Sequence, residues 1–153
     1  MGLIALRAFL KRHRRIALDT SIFIYHLEAN PVYGDMAAEV FTWLERSPHT
    51  AVTSSLTMTE LLVHPYRAGN EALVNEYYGL LSLFPNLEWV PVDLTVADAA
   101  ARIRARHRLR APDALQAATG ICHGATALLT NDGDLARVTG IEVGVFDELR
   151  DAA

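Results

Sequence analysis

Five short β-like runs, each separated from the next by helical periodicity, constrain this chain more than any other feature. They are Ile16-Ala17-Leu18, Ala51-Val52-Thr53, Leu87 to Val92, Ala125 to Leu129, and Glu142 to Phe146. Thr20 and Ser21 can cap a helix through about Leu27, which Pro31 stops. Tyr33 to Arg46 carries Met36, Val40, Phe41 and Leu44 as an apolar stripe at helical spacing. Further helices are expected over Leu56 to Val63, Glu71 to Phe84, Leu94 to His107, and from Pro112 to about Gly124. Pro112 suits a helix start, where its missing N–H costs nothing. Pro91 suggests that its run is an edge or ends there. Strands alternating with helices predict an α/β sandwich around a central, mostly parallel sheet. With 153 residues, 51% of them hydrophobic, there is core material for one domain and little room for a second.

The hydrophobic share excludes a wholly disordered chain. Cys122 stands alone, so neither a disulfide framework nor a cysteine-rich zinc site can form within one chain. A reducing, cytoplasmic setting is the simplest expectation, and no apolar run approaches the roughly 18 residues needed to cross a bilayer.

A formal charge of −4 conceals an uneven distribution. Ten of the 14 basic residues fall in two acid-free segments. One is the leader, with Arg7, Lys11, Arg12, Arg14 and Arg15. The other holds Arg102, Arg104, Arg106, Arg108 and Arg110. The remainder carries all 18 acids against four bases. Two arginine-rich patches could hold a polyanion locally on a surface that otherwise repels one, or could be solvated helix faces. Gly2 to Leu10 resembles a short amphipathic helix and is expected to be an appendage.

Four of the acids stand in unusual company. Asp19 closes an aliphatic strand, and Glu60 lies beside Leu61, Leu62 and Val63. Asp113 begins an apolar helix, and Asp132 follows the strand ending at Leu129. In open α/β sheets, ligands bind outside the carboxyl ends of the strands, where Asp19 and Asp132 would sit. Each position also has an ordinary structural use. Thr57 and Glu60 can make a capping box, and Asp113 meets a helix dipole. Asp132 suits a turn, and Asp19 can cap the next helix. If the four converge, two carboxylates about 4–5 Å apart repel by roughly 3–4 kcal/mol at an effective dielectric near 20. Such a cluster takes up protons or binds a cation, and all-oxygen donors select Mg²⁺ or Mn²⁺. A water activated by that metal could attack a phosphodiester, with guanidinium groups gripping the phosphate. Phosphoaspartyl chemistry fits poorly, because Ser21 stands where dehalogenase-like phosphatases need a second aspartate. Lys11, the lone lysine, stands too early for a receiver domain or a P-loop.

Leu18-Asp19-Thr20-Ser21, Thr59-Glu60-Leu61-Leu62, Arg110 to Ala118, and Leu129-Thr130-Asn131-Asp132 occur in the order and spacing of PIN domains. From Ile16 to Phe146 the chain resembles the small PIN proteins that are VapC-like toxins of type II toxin–antitoxin pairs. The resemblance implies a PIN-like three-layer α/β/α sandwich, with residues 1–15 a basic N-terminal extension and residues 16–150 a single PIN domain. It implies a ribonuclease using Mg²⁺ or Mn²⁺, with Asp19, Glu60, Asp113 and Asp132 as the catalytic set. Asp19, Asp113 and Asp132 would hold metal, and Glu60 would be a further ligand or a general base. Thr130 matches the polar residue that precedes the fourth acid, and is grouped with Arg102, Arg106, Arg108 and Arg110 as the expected RNA-binding set. Asp134 competes with Asp132 for the fourth position, and the latter is nearer the strand end. A homodimer silenced by a cognate antitoxin protein is implied as well. The competing expectation is a catalytically silent PIN-like module that binds RNA or protein.

Overall fold

The computed structural model describes residues 2–152. Five strands, β1 (Arg15–Leu18), β2 (Thr50–Ser54), β3 (Leu87–Val90), β4 (Ala127–Thr130) and β5 (Glu142–Val145), form one sheet in the order β3-β2-β1-β4-β5. Every adjacent pair is parallel. Around it lie α1 (Gly2–Leu10), α2 (Thr20–Leu27), α3 (Gly34–Glu45), α4 (Ser55–Arg67), α5 (Glu71–Ser82), α6 (Leu94–His107), α7 (Ala111–Cys122) and α8 (Phe146–Asp151). The chain is an α/β/α sandwich. No described helix is long and apolar enough to cross a membrane.

Period-two alternation sends neighbouring strand residues to opposite layers. Ile16, Leu18, Ala51, Ala127 and Leu129 pack with α1 to α5, whereas Ala17, Val52 and Leu128 pack with α6 and α7. Both faces are therefore covered, as an all-parallel sheet requires. β3 is an edge strand and stops at Val90, so both readings of Pro91 hold. α4 runs four residues beyond its expected end, with Pro65 inside it, and α8 extends the fold where only a strand was expected.

α7 lies close on β1 because its inward residues are small. Ala114, Ala117 and Ala118 are buried there, and a Cβ on Gly120 would stand 2.7 Å from that of Ala17. Gly120→Ala is therefore expected to cost about 2 kcal/mol through overpacking, read as a lower denaturant midpoint with an unchanged slope. An unshifted midpoint would show that α7 has slack against the sheet.

The leader is not an appendage. Leu6, Phe9 and Leu10 are buried, and the Phe9 ring lies over Gly144, where an added Cβ would meet it at 2.9 Å. Its charges are largely tied to the domain. Arg7 pairs with Glu39 at 2.7 Å, Arg12 and His13 both bind Glu142, and Arg15 binds Glu88. The cationic leader thus meets acids from β3, β5 and α3, a match the one-dimensional charge pattern hides. Met1 lies outside the described residues.

Candidate active site

Strand order reverses between β1 and β4. From β1 the chain builds outward to β2 and β3, then crosses back to place β4 and β5 on the other side. The carboxyl ends of β1 and β4 thus flank a topological switch point. Asp19 follows β1 and caps α2, its Oδ1 accepting from the Thr20 N–H at 2.8 Å. Its Oδ2 accepts from the Thr130 hydroxyl at the end of β4, at 2.7 Å. That same hydroxyl oxygen accepts from the Asp132 N–H at 3.0 Å, holding the fourth acid beside the first.

Glu60 and Asp113 reach this rim from helices. The N-cap of α4 is Ser54, not Thr57, so the capping-box use of Glu60 does not arise. Glu60 instead accepts from the Thr20 hydroxyl at 2.7 Å. Asp113 is buried in the first turn of α7, and Arg110 donates to its Oδ2 at 3.1 Å.

The four carboxylates act on one another. Burial pushes the Asp19 carboxyl up to about 6; its bonds from Thr130 and Thr20 oppose the rise, and the charges of Asp113 and Glu60 add to it. Burial likewise raises Asp113, Arg110 pulls it back, and Asp132 raises it further. The Arg110 guanidinium is raised chiefly by Asp113, with Asp132 and Glu60 adding. Asp134 is exposed and turned toward Arg137, 3.8 Å away. Asp132, rather than Asp134, therefore belongs to the cluster.

Four carboxylates and one arginine leave surplus negative charge at a partly buried rim of the sheet. The donors are all oxygen, and the buried Ser21 hydroxyl oxygen, two residues past Asp19, has no hydrogen-bond partner. This set suits a hard divalent cation by chemistry and charge. Among the described residues, however, no three His, Cys, Asp or Glu side chains surround a single point. The fit is one of donor type and field, not of a preformed cage.

The expected RNA-binding residues divide. Arg110 stands at the acids. Arg102 pairs with Asp98 at 3.2 Å, and it lines a shallow cavity with Arg106, Ile121 and Val138, away from the four carboxylates. Arg108 ends α6 in the left-handed region, at φ 54°, with its side chain exposed. Thr130 is fully buried, so its hydroxyl organises Asp19 and Asp132 and cannot face an RNA.

Sequence reasoning missed a layer of polar side chains under the acids: Thr53, Thr57 and Gln116, all buried, together with the Thr20 hydroxyl. The available signal was polarity at inward positions, since Gln116 lies among Ala114, Ala117 and Ala118. It also missed Asn131, which donates to the Tyr25 hydroxyl at 3.0 Å and accepts from the Asp147 N–H at 2.8 Å, pinning the loop that carries Asp132. A separate cavity of about 870 Å³ between α4, α5 and β3 is lined by Met58, Leu62, Tyr66, Tyr78 and Trp89, and by none of the four acids.

Three solved structures have the same fold. A toxin–antitoxin complex from Klebsiella pneumoniae superposes with a TM-score of 0.65 at 22% identity, covering 86% of this chain and 97% of that one. VapBC2 from Rickettsia felis, bound to a promoter DNA fragment, gives 0.65 at 18% identity over 86% and 98%. FitAcB from Neisseria gonorrhoeae gives 0.65 at 22% identity over 86% and 97%. No curated protein matches the sequence. The PIN domain family model matches residues 16–141, a span that contains β1 from its second residue, β2 to β4 and all four acids. On that match, and with the acids gathered at the switch point of its sheet, the chain belongs to the PIN domain family.

Proposed function

We propose that this protein is a Mg²⁺- or Mn²⁺-dependent endoribonuclease and the toxin of a VapBC-type pair. The observation that carries the reading is the meeting of Asp19, Glu60, Asp113 and Asp132, from four separate segments, at one rim with a single arginine among them. Asp19, Asp113 and Asp132 would hold the cation. When bound, it supplies Lewis-acid activation of water and neutralises charge on the phosphate. Glu60 is exposed, and one of its carboxylate oxygens is engaged by Thr20. The other is available to orient the attacking water and take its proton. Arg110, paired with Asp113, would hold a phosphate oxygen of the substrate. In-line attack by water then leaves a 5′-phosphate and a 3′-hydroxyl.

A cognate antitoxin, a homodimeric state and a cytoplasmic setting accompany this reading. The antitoxin is supported by the family membership and by the likeness to the Klebsiella toxin–antitoxin complex and to VapBC2 of Rickettsia felis; the homodimer and the cytoplasmic setting are part of the proposal. The test is cleavage of a labelled RNA pool by the full chain. Cutting should require Mg²⁺ or Mn²⁺, stop with chelator, fail in Asp113→Asn, and leave 5′-phosphate ends. Ends bearing a 2′,3′-cyclic phosphate would reject water as the nucleophile. RNA binding that is equally tight in wild type and Asp113→Asn, with no cleavage by either, would favour the silent binding module.

A further inference from the structure

The polar layer beneath the acids has one direction of hydrogen bonding. The Leu18 carbonyl can only accept, so Thr53 donates to it at 2.9 Å. With that proton committed, the 2.8 Å contact between Thr53 and Thr57 runs with Thr57 donating. The Gln116 amide nitrogen can only donate. It reaches the Thr57 oxygen at 2.8 Å and the Thr20 oxygen at 3.3 Å. The single Thr20 proton then goes to Glu60 at 2.7 Å rather than to Thr57 at 3.2 Å. Thr57, Thr53, Gln116 and Thr20 are 0%, 1%, 2% and 5% exposed, so bulk water does not compete for these protons. The layer joins β1, β2, α2, α4 and α7, and it ends in one bond on the carboxylate of Glu60.

From this arrangement we infer that Gln116 is a positioning residue: by occupying the oxygens of Thr57 and Thr20, it commits the Thr20 hydroxyl to Glu60 and fixes that carboxylate toward the acid cluster. The inference rests on the metal-nuclease reading, in which the orientation of Glu60 matters to the rate. Without the Gln116 amide, the vacated Thr57 oxygen competes for the Thr20 proton, and Glu60 loses its anchor. Groups that orient the ligands and bases of metal sites typically carry 10–100-fold in affinity or activity.

The experiment is a double-mutant cycle on the full chain, read by Mn²⁺ binding in calorimetry and by kcat and KM on an RNA oligonucleotide. Gln116→Met should lower kcat about 10-fold with little change in KM, and weaken Mn²⁺ binding. Thr20→Val should lower kcat by about 10–100-fold, and Thr20→Ser should restore it. The double variant Thr20→Val/Gln116→Met should be no worse than Thr20→Val alone, because Gln116 acts through that hydroxyl. Gln116→Glu keeps the shape but accepts where glutamine donates, so it should lose at least as much activity at pH 8. Losses that multiply in the double variant, or wild-type kcat in Gln116→Met or Gln116→Glu, would overturn the inference and leave the nuclease reading standing. A wild-type chain that neither binds Mn²⁺ nor cuts RNA would overturn both.

Discussion

Asp19→Asn is expected to make this protein inactive and, at the same time, more stable. On the proposed reading the substitution removes a carboxylate that would hold metal, which should lower cleavage by about 10³-fold. Folding responds in the opposite sense. The Asp19 carboxyl is pushed up to about 6 in the native chain from 3.8, mainly by burial. Ionised, it is therefore a burden that folding must carry. A rise of that size corresponds to at most about 3 kcal/mol at neutral pH. Asparagine keeps a carbonyl oxygen for the Thr20 N–H and carries no charge, but its amide nitrogen donates where Oδ2 accepted from the buried Thr130 hydroxyl, so a net gain of about 1 kcal/mol is expected at pH 7 without divalent cation. The check is urea unfolding of both proteins in chelator. Equal stability, or a loss in the variant, would mean that the charge is already compensated in the native chain.

The second large effect is the dependence of stability on pH and divalent cation together. Between pH 3.8 and about 6 the unfolded chain has released the Asp19 proton and the native chain still holds it. The native state then binds more protons, so stability without cation falls as pH rises through this window and levels off above it. Asp113, also raised by burial, adds in the same direction. Glu39 and Glu142 are lowered by their partners Arg7 and Arg12 and contribute with the opposite sign, at more acid pH. The wild-type curve minus the Asp19→Asn curve isolates the site. Mg²⁺ should reverse the loss. At about 100 times its Kd, a ligand specific for the native state adds about 2.7 kcal/mol. The gain should fade below about pH 5, where Asp19 keeps its proton, and should be small in Asp19→Asn. Calorimetric Tm values across pH, with and without Mg²⁺, measure this. A gain that is the same at pH 4.5 and 7.5 would place the cation elsewhere.

Both expectations concern acids that local sequence singled out and other segments of the chain brought together. Ile16-Ala17-Leu18 is apolar at every position because β1 is buried on both faces, and the parallel α/β pattern follows from such runs. Asp19, Asp113 and Asp132 were visible as charges at strand ends and helix starts. Thr53, Thr57 and Gln116 were not. Their importance comes from partners 35 and 59 residues away, and a threonine in a strand or helix gives no local sign of such a partner. The leader misled for the same reason. Its arginines have no acid nearby in sequence, yet Glu39, Glu88 and Glu142 meet them across the fold.

The alternation of strand and helix, the two-sided sheet, and the acids lying where a ligand could reach them are all legible along the chain, because periodicity and burial are local demands on each segment. That Asp132 rather than Asp134 joins the cluster, that Arg110 does so and Arg102 does not, and that Thr130 is buried emerge in the folded chain alone. Those outcomes depend on distances between segments far apart in the chain, set by how closely α7 lies on β1 and by the order in which the strands are laid down.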